Sequence, residues 1–244
     1  MTNIYETDRL LNEYLLFHYG SPAEVLPWDF GPADALGFAE RSVTVLLDRP
    51  LVPSPAAALD LGCAVGRSAY ELAQVCDQVI GIDFSQRFVD SAEQIRNGTE
   101  LNYTQLVEGQ ETRTLVARRP EQGDLARIAF EQGDAMNLRT DLGVFDVVHA
   151  ANLLCRLPEP QRLLDRLPSL VKTGGQLLLT TPCTWLEEFT PQGNWPAGST
   201  FDWLKEKLEP SFVLAEQVDL PFLIREHARK FQWSVAMGTR WVRK

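Results

Sequence analysis

Residues 57–72 read ALDLGCAVGRSAYELA. An apolar run ends in Asp60, Gly62 and Gly66 follow four residues apart, and a helix-like pattern then begins. A glycine turn between strand and helix lets the backbone approach a ligand closely and aims the positive end of the helix at it. The third glycine of the dinucleotide run G-x-G-x-x-G is missing, and Cys63 and Ala64 stand inside the turn. About 20 residues past Gly62, Asp83 closes VIGID, a spacing suited to gripping two ribose hydroxyls. Asp60 is an awkward neighbour for a pyrophosphate but suits an ammonium or sulfonium group. The pattern therefore favours a nucleoside carrying an amino acid over a dinucleotide, which points to S-adenosylmethionine.

The bulk composition agrees with such an enzyme and excludes other classes. The chain has 244 residues, 45% hydrophobic and 23% charged, enough for one sizeable α/β domain with a real core. Its net charge of -10 repels phosphate backbones and argues against a nucleic-acid partner. The four cysteines, Cys63, Cys76, Cys155 and Cys183, form no C-x-x-C and stand near no histidine cluster, so no metal site is expected. The polar N-terminus reads as no signal peptide, and no apolar run approaches the roughly 20 residues of a membrane span. A cytoplasmic setting with free thiols and no membrane partner is the expectation.

The elements that must position these residues alternate. Residues 7–20 and 35–49 read as helices, and 50–56 as a Pro-rich connector. Then AALDLG is a strand and GRSAYELAQVC a helix; QVIGID is a strand and SQRFVDSAEQIRN a helix. ARIAFEQGD and FDVVHAAN are strands, EPQRLLDRLPSLV is a helix broken near Pro168, and GGQLLLTTP is a strand. Such alternation predicts a mostly parallel sheet with helices on both faces. Two alternating segments around EGQE predict a β-hairpin inserted within 98–124, and two strand-like runs at the C-terminus predict an antiparallel pair. In a doubly wound sheet the ligand sits outside the carboxyl ends of the strands.

At this level the chain resembles the class I S-adenosylmethionine-dependent methyltransferases. LDLGCAVG (59–66) is similar to their first motif, with the second glycine of the usual run replaced by Cys63 or Ala64. VIGIDFS (79–85), EQGDAMNL (131–138), FDVVHAANLL (145–154) and LVKTGGQLLLTTP (170–182) resemble the segments that follow, in the family's order. The resemblance implies a Rossmann-like fold with a seven-stranded sheet and an antiparallel C-terminal strand. It implies that Gly62, Cys63, Ala64 and Gly66 line the methionine and ribose region, and that Asp60 orients the turn and reaches the amino group. By the same carry-over Asp83 binds ribose, Phe84 covers the adenine, Asp134 with Ala135 reads it, and Asn152 lies by the methionine.

The segments 5–20, 181–195 and 220–236 are unusual for generic members. Together they resemble the 4-mercaptohistidine (5-thiohistidine) N-methyltransferases of ovothiol synthesis, in their free-standing form. That resemblance implies a ring nitrogen of the thiol-bearing imidazole as acceptor and ovothiol A as product. Selecting a nitrogen over the stronger thiolate nucleophile requires anchors for carboxylate, amine and sulfur. Arg225 or Arg229 are candidates for the carboxylate, and Glu187 or Glu188 for an amine or ring N–H. Tyr14, His18, Tyr19 and His227 could bond the imidazole or take its proton, and Trp185 could stack on it. Tyr14 reads equally as core, His18 and Tyr19 as packing residues at a helix end, and REHARK (225–230) as a solvated turn. The expected organisation is one domain over 1–244. It comprises a helical substrate cap (1–50), a cofactor core (57–182) holding the insertion, and a substrate loop with C-terminal strands (183–244). A monomer or homodimer is left open. The rivals are a methyltransferase for another small metabolite, an NAD-dependent oxidoreductase, and a module that binds S-adenosylmethionine without turnover.

Overall fold

The protein is described here by a computed structural model covering residues 4–121 and 125–244. The first residues of the expected cap and the end of the 98–124 insertion lie outside the described residues. Five strands run parallel: β1 (Ala57–Leu61), β2 (Gln78–Asp83), β5 (Ile128–Gln132), β6 (Phe145–Ala151) and β7 (Val171–Thr181). The long strands β8 (Phe212–His227) and β9 (Lys230–Arg243) complete the sheet in the order β5-β2-β1-β6-β7-β9-β8, with β9 antiparallel to both neighbours. Strands β3 (Leu101–Glu108) and β4 (Glu111–Ala117) pair apart from the sheet as the expected hairpin. Its turn contains Gly109 at φ +56°.

The central strands carry near-continuous apolar runs because both their faces are covered. One face packs under α3 (Phe38–Thr44), α4 (Arg67–Leu72) and α5 (Gln86–Arg96), around Val43, Leu46, Leu72, Val89 and Leu178. The other packs under α6 (Pro160–Arg166) and α7 (Thr200–Leu208), around Leu59, Leu163, Leu177, Leu204 and Trp241. The helix α1 (Asp8–Tyr19) and the one-turn α2 (Pro22–Val25) form a third cluster, in which Leu15 and Leu16 meet Val65, Phe88 and Leu223. Thr7 caps α1 by accepting from the Leu10 N–H.

Two helices depart from the sequence expectation. The expected helix over 35–49 is shorter, because its β-branched end and the approach to Pro50 disfavour helical backbone. Helix α7 was not anticipated. Its signal is Ser199, whose hydroxyl accepts from the Asp202 N–H, followed by Leu204 and Leu208 on one buried face. The broken helix near Pro168 is as expected: α6 ends at Arg166 and a 3₁₀ turn follows over Leu167–Ser169.

The inserted hairpin supports α1 from behind. Leu101, Tyr103 and Leu115 join the α1 cluster, and Asn12 Oδ1 accepts from the Thr104 N–H at 3.1 Å. The β8–β9 extension closes the same side, with the Ala228 N–H donating to Val107 O. Helix α1 is thereby held over the carboxyl edge of the sheet.

Candidate functional site at the carboxyl edge

Three non-glycine residues adopt left-handed backbone among the described residues: Ala64, Asn152 and Cys183, with φ of +49°, +52° and +55°. They follow β1, β6 and β7, three strands adjacent in the sheet. Such strain costs roughly 1–2 kcal/mol per residue and clusters where function fixes the backbone. The strained positions therefore outline the same edge that the glycine turn occupies. Ala64 stands where a glycine would relax the turn, so it, rather than Cys63, is the replaced glycine.

The turn itself is tightly built. The N–H groups of Gly62 and Cys63 both donate to Ile82 O, and the Ala64 N–H donates to Asp83 Oδ2 at 2.9 Å. Asp83 Oδ1 accepts from the Ser85 N–H at 2.8 Å. Despite these bonds, burial raises the Asp83 carboxyl to about 6. Gly66 has φ +87°, and a Cβ there would lie 2.5 Å from Phe130 Cζ. A Cβ on Gly62 would lie 3.0 Å from Leu153 Cδ1. Gly66 is thus required by close approach as well as by backbone, and Gly62 by its backbone at φ +68°. Beyond Asp83, Phe84 is 60% exposed and offers an apolar ring to solvent. Asp134 closes the turn after β5 by accepting from the Met136 N–H, and Ala135 is buried beside it. Asn152 is fixed by Thr180, whose hydroxyl donates to Asn152 Oδ1 at 2.9 Å.

An aromatic roof lies over this edge. Tyr5 meets Tyr14, Phe88 and Phe189 at centroid distances of 6.0, 5.9 and 6.3 Å. The N-terminal segment is pinned there by Ser85 Oγ donating to Tyr5 O and by Arg87, which donates to Glu6 O and pairs with Asp8. Tyr14 and His18, four residues apart on one helix face, stack loosely at 5.9 Å. Both keep accessible surface yet are strongly desolvated, so they face a recess inside the protein. Burial drives the Tyr14 phenol well up and the His18 imidazole down to about 3. Asp60 partly offsets the histidine shift, and Arg67 adds to it. His18 Nδ1 is buried with no hydrogen-bond partner among the described residues. Arg156 stands at the other end of the roof, 4.6 Å over the Phe189 ring and bonded to the Tyr5 hydroxyl.

Several expected residues are placed elsewhere. Asp60, expected to face a ligand amine, is 1% exposed, with Oδ1 against His149 Nδ1 at 2.7 Å and Oδ2 accepting from Ser68 Oγ at 2.6 Å. His149 Nε2 meets Ser42 Oγ, so Ser42, His149 and Asp60 have the composition of a nucleophile, base and acid. All three are sealed from solvent, and the set fastens α3 and α4 to the sheet rather than doing chemistry. The Cys63 side chain points into the core, its thiol raised well above the ordinary range by burial. Tyr19 donates to Val65 O at 2.7 Å and so supports the turn from beneath.

The expected acceptor residues do not come together. Arg225 is buried and donates to the backbone carbonyls of Glu24, His227 and Ala228. Arg225 and His227 line a groove of about 490 Å³ with Arg9, Asn12, Glu13 and Leu16. Those α1 residues share the helix face opposite Tyr14 and His18. Arg229 lies in the same hairpin turn, its N–H donating to His227 Nδ1. Trp185 donates through Nε1 to Thr200 Oγ1 and packs edge-on against Trp203, which ties its loop to α7. Glu187 and Glu188 are exposed on that loop, whose contribution to the roof is Phe189. Sequence reading missed Tyr5, Arg156, Phe189 and His149. Arg156 was the most accessible of these, being four residues past Asn152 at the end of a central strand.

The neutral His18 sets a pH expectation. Its folded value lies below the ordinary 6.5, so the stability it contributes is present above 6.5 and is lost as pH falls toward 3. At pH 5.5 that loss is about 1.4 kcal/mol relative to neutral pH. His18→Gln is expected to remove this part of the acid sensitivity, read as a smaller drop in the urea midpoint between pH 7.5 and 5.5 than in the parent.

Comparison with known proteins gives the family. Residues 35–234 match the family model described as "Methyltransferase domain". The ubiquinone biosynthesis O-methyltransferase of Coxiella burnetii (strain Dugway 5J108-111) is 27% identical over 123 residues, 50% of this chain and 42% of that protein. The one from Stutzerimonas stutzeri (strain A1501) is 27% identical over 125 residues, 50% of this chain and 43% of that protein. The chain thus matches less than half the length of these relatives. Among solved structures, N-methyltransferase NodS from Bradyrhizobium japonicum WM9 in complex with S-adenosyl-L-homocysteine shares the fold. Its TM-score is 0.54 and its identity 17%, over 96% of this chain and 98% of that one. The strand order, the glycine turn with its acid at the end of β2, and the family match agree: the chain belongs to the methyltransferase domain family and is an S-adenosylmethionine-dependent methyltransferase.

Proposed function

We propose that the chain methylates a small heteroaromatic acceptor, with a ring nitrogen of 5-thiohistidine as the substrate atom and ovothiol A as the product. S-adenosylmethionine supplies a methyl group on a positively charged sulfur, open to in-line displacement. The residues at the carboxyl edge fit that donor on their own geometry. The close approach at Gly66, the largely exposed Phe84 ring and a His18 Nδ1 without a partner among the described residues are all features a bound nucleoside amino acid would complete. In this reading Asp83 takes the ribose hydroxyls, Phe84 covers the adenine, and Asp134 with Ala135 reads its edge. Gly62, Ala64 and Asn152 present backbone toward the methionine portion.

The observation that carries the acceptor reading is the set of aromatic rings, Tyr5, Tyr14, His18 and Phe189, gathered in the roof, whose titratable members burial keeps uncharged. His18 is held neutral and far from basic, and the Tyr5 and Tyr14 phenols are held protonated by burial. These groups are poor bases for stripping an alcohol or phenol, so they suit an acceptor that is already nucleophilic at neutral pH. An imidazole nitrogen is such an atom, and aromatic walls suit its ring. Their work is orientation: bringing one nitrogen to about 3 Å from the methyl carbon, in line with the breaking bond, while the thiolate points away. The family resemblance of the 5–20, 181–195 and 220–236 segments supplies the identity of the ring. A cytoplasmic small-molecule enzyme without nucleic-acid partners is consistent with the net charge of -10. No helix among the described residues is long and apolar enough to cross a membrane.

The named activity of the curated relatives, an O-methyltransferase, would make an oxygen the acceptor instead; a catechol offers such an oxygen on a small ring. The two readings separate in a competition assay. Supplied with S-adenosylmethionine, 5-thiohistidine and a catechol in equal amounts, the enzyme is expected to methylate the imidazole at least tenfold faster. Preferential methylation of the catechol would replace the proposed acceptor.

A further inference from the structure

The Arg156 guanidinium is the cation of the roof, and no carboxylate among the described residues forms an ion pair with it. Its contacts are neutral. Nη1 donates at 3.2 and 3.3 Å to Cys155 O and Thr184 O, the guanidinium lies over Phe189, and it bonds to the Tyr5 hydroxyl. Arg67, the cation beside His18, is by contrast consumed by Glu40 and Glu71. In a chain with ten more acidic than basic side chains, a half-buried arginine left with aromatic and carbonyl neighbours is an unusual placement. A partly desolvated guanidinium interacts strongly with an anion and presents a planar fork matched to a carboxylate. Its charge also reaches both Tyr5 and Tyr14, the rings that wall the recess. Arg225 cannot serve this purpose, since its donors are spent on three backbone carbonyls.

We propose that Arg156 forms a carboxylate-binding subsite, which fixes the acceptor by its acid group while the aromatic roof holds its ring. This rests on the reading of the recess as the acceptor site, and deepens it: the acceptor class is a small aromatic acid or amino acid. Because the strained Asn152 starts the same short segment, the subsite is rigidly tied to the strand end where the methyl group would lie.

The test compares imidazole-4-acetate with its neutral amide on protein saturated with S-adenosylhomocysteine, by calorimetry. Wild type is expected to bind the carboxylate 10–100-fold more tightly, as a charge-assisted pair would give. Arg156→Met is expected to erase that preference with amide binding unchanged, and Arg156→Lys to restore part of it. Equal affinity for the two probes in wild type, failure to bind either, or a preference that survives in Arg156→Met would overturn the proposal. Turnover separates it from the identity of the acceptor. A carboxylate preference that depends on Arg156, with no methylation of 5-thiohistidine, would keep the subsite and remove that substrate.

Discussion

Asp83→Asn is expected to lose S-adenosylmethionine binding by about 100-fold while leaving the ligand-free protein at least as stable as its parent. The two halves have one cause. Asp83 is held by two backbone N–H groups and yet is raised to about 6, because its surroundings disfavour the charge. Its folded value exceeds the ordinary 3.8, so its contribution is favourable below 3.8 and is lost as pH rises through 6. At pH 7.5 the ionised carboxylate therefore costs about 3 kcal/mol of fold stability. Asparagine removes that cost and gives up one backbone hydrogen bond, worth 1–3 kcal/mol when its partner is left buried. The net change is expected to lie between zero and about 2 kcal/mol in favour of the variant. Two hydrogen bonds from ribose hydroxyls to a charged oxygen contribute about 3 kcal/mol to binding, hence the hundredfold loss. Calorimetric titration with S-adenosylmethionine, beside a urea melt without ligand, checks both halves. A variant that binds normally would take Asp83 out of the cofactor site.

Gly66→Ala is the second large effect, and here fold and binding are expected to fail together. Gly66 sits at φ +87°, where a side chain costs roughly 1–2 kcal/mol. The added carbon would also meet Phe130 Cζ at 2.5 Å, Phe130 Cε1 at 2.8 Å and Ala92 Cβ at 3.0 Å. Phe130 cannot retreat freely, since it already fills the space over Gly81, where a Cβ would lie 2.5 Å from it. Overpacking of this kind adds about 1–3 kcal/mol. The urea midpoint is expected to fall by the equivalent of about 3 kcal/mol, with cofactor affinity reduced at least tenfold in the fraction that folds. A variant as stable as its parent would mean that the turn is looser than described.

These effects concern the part of the molecule that sequence made legible. Alternating apolar runs and glycine punctuation mark the five parallel strands because buried parallel strands have no polar face to blur the pattern. The glycine turn and Asp83 stand out for the same reason: backbone approach to a nucleoside demands glycine, and ribose demands an acid at the next strand end. The acceptor side was less legible, because a recess is built from residues far apart in sequence whose direction periodicity does not give. Helix α1 shows this well. Tyr14 with His18, and Glu13 with Arg9, are both spaced four apart, yet one pair faces the recess and the other an outer groove. Arg225 and Arg156 look alike as isolated cations, and only their neighbours distinguish a backbone clasp from an available charge. Asp60 looked like a ligand-binding acid because its buried partner, His149, lies 89 residues away.

The most direct measurement is turnover by mass spectrometry, with purified protein, S-adenosylmethionine and 5-thiohistidine, and plain histidine as the control. The expected result is a singly methylated thiohistidine whose fragments place the methyl group on a ring nitrogen, with histidine unchanged. Methyl on sulfur would contradict the orientation assigned to the roof. No product at all, with S-adenosylmethionine binding confirmed by calorimetry, would contradict the acceptor and leave an S-adenosylmethionine-dependent methyltransferase whose recess serves another small molecule.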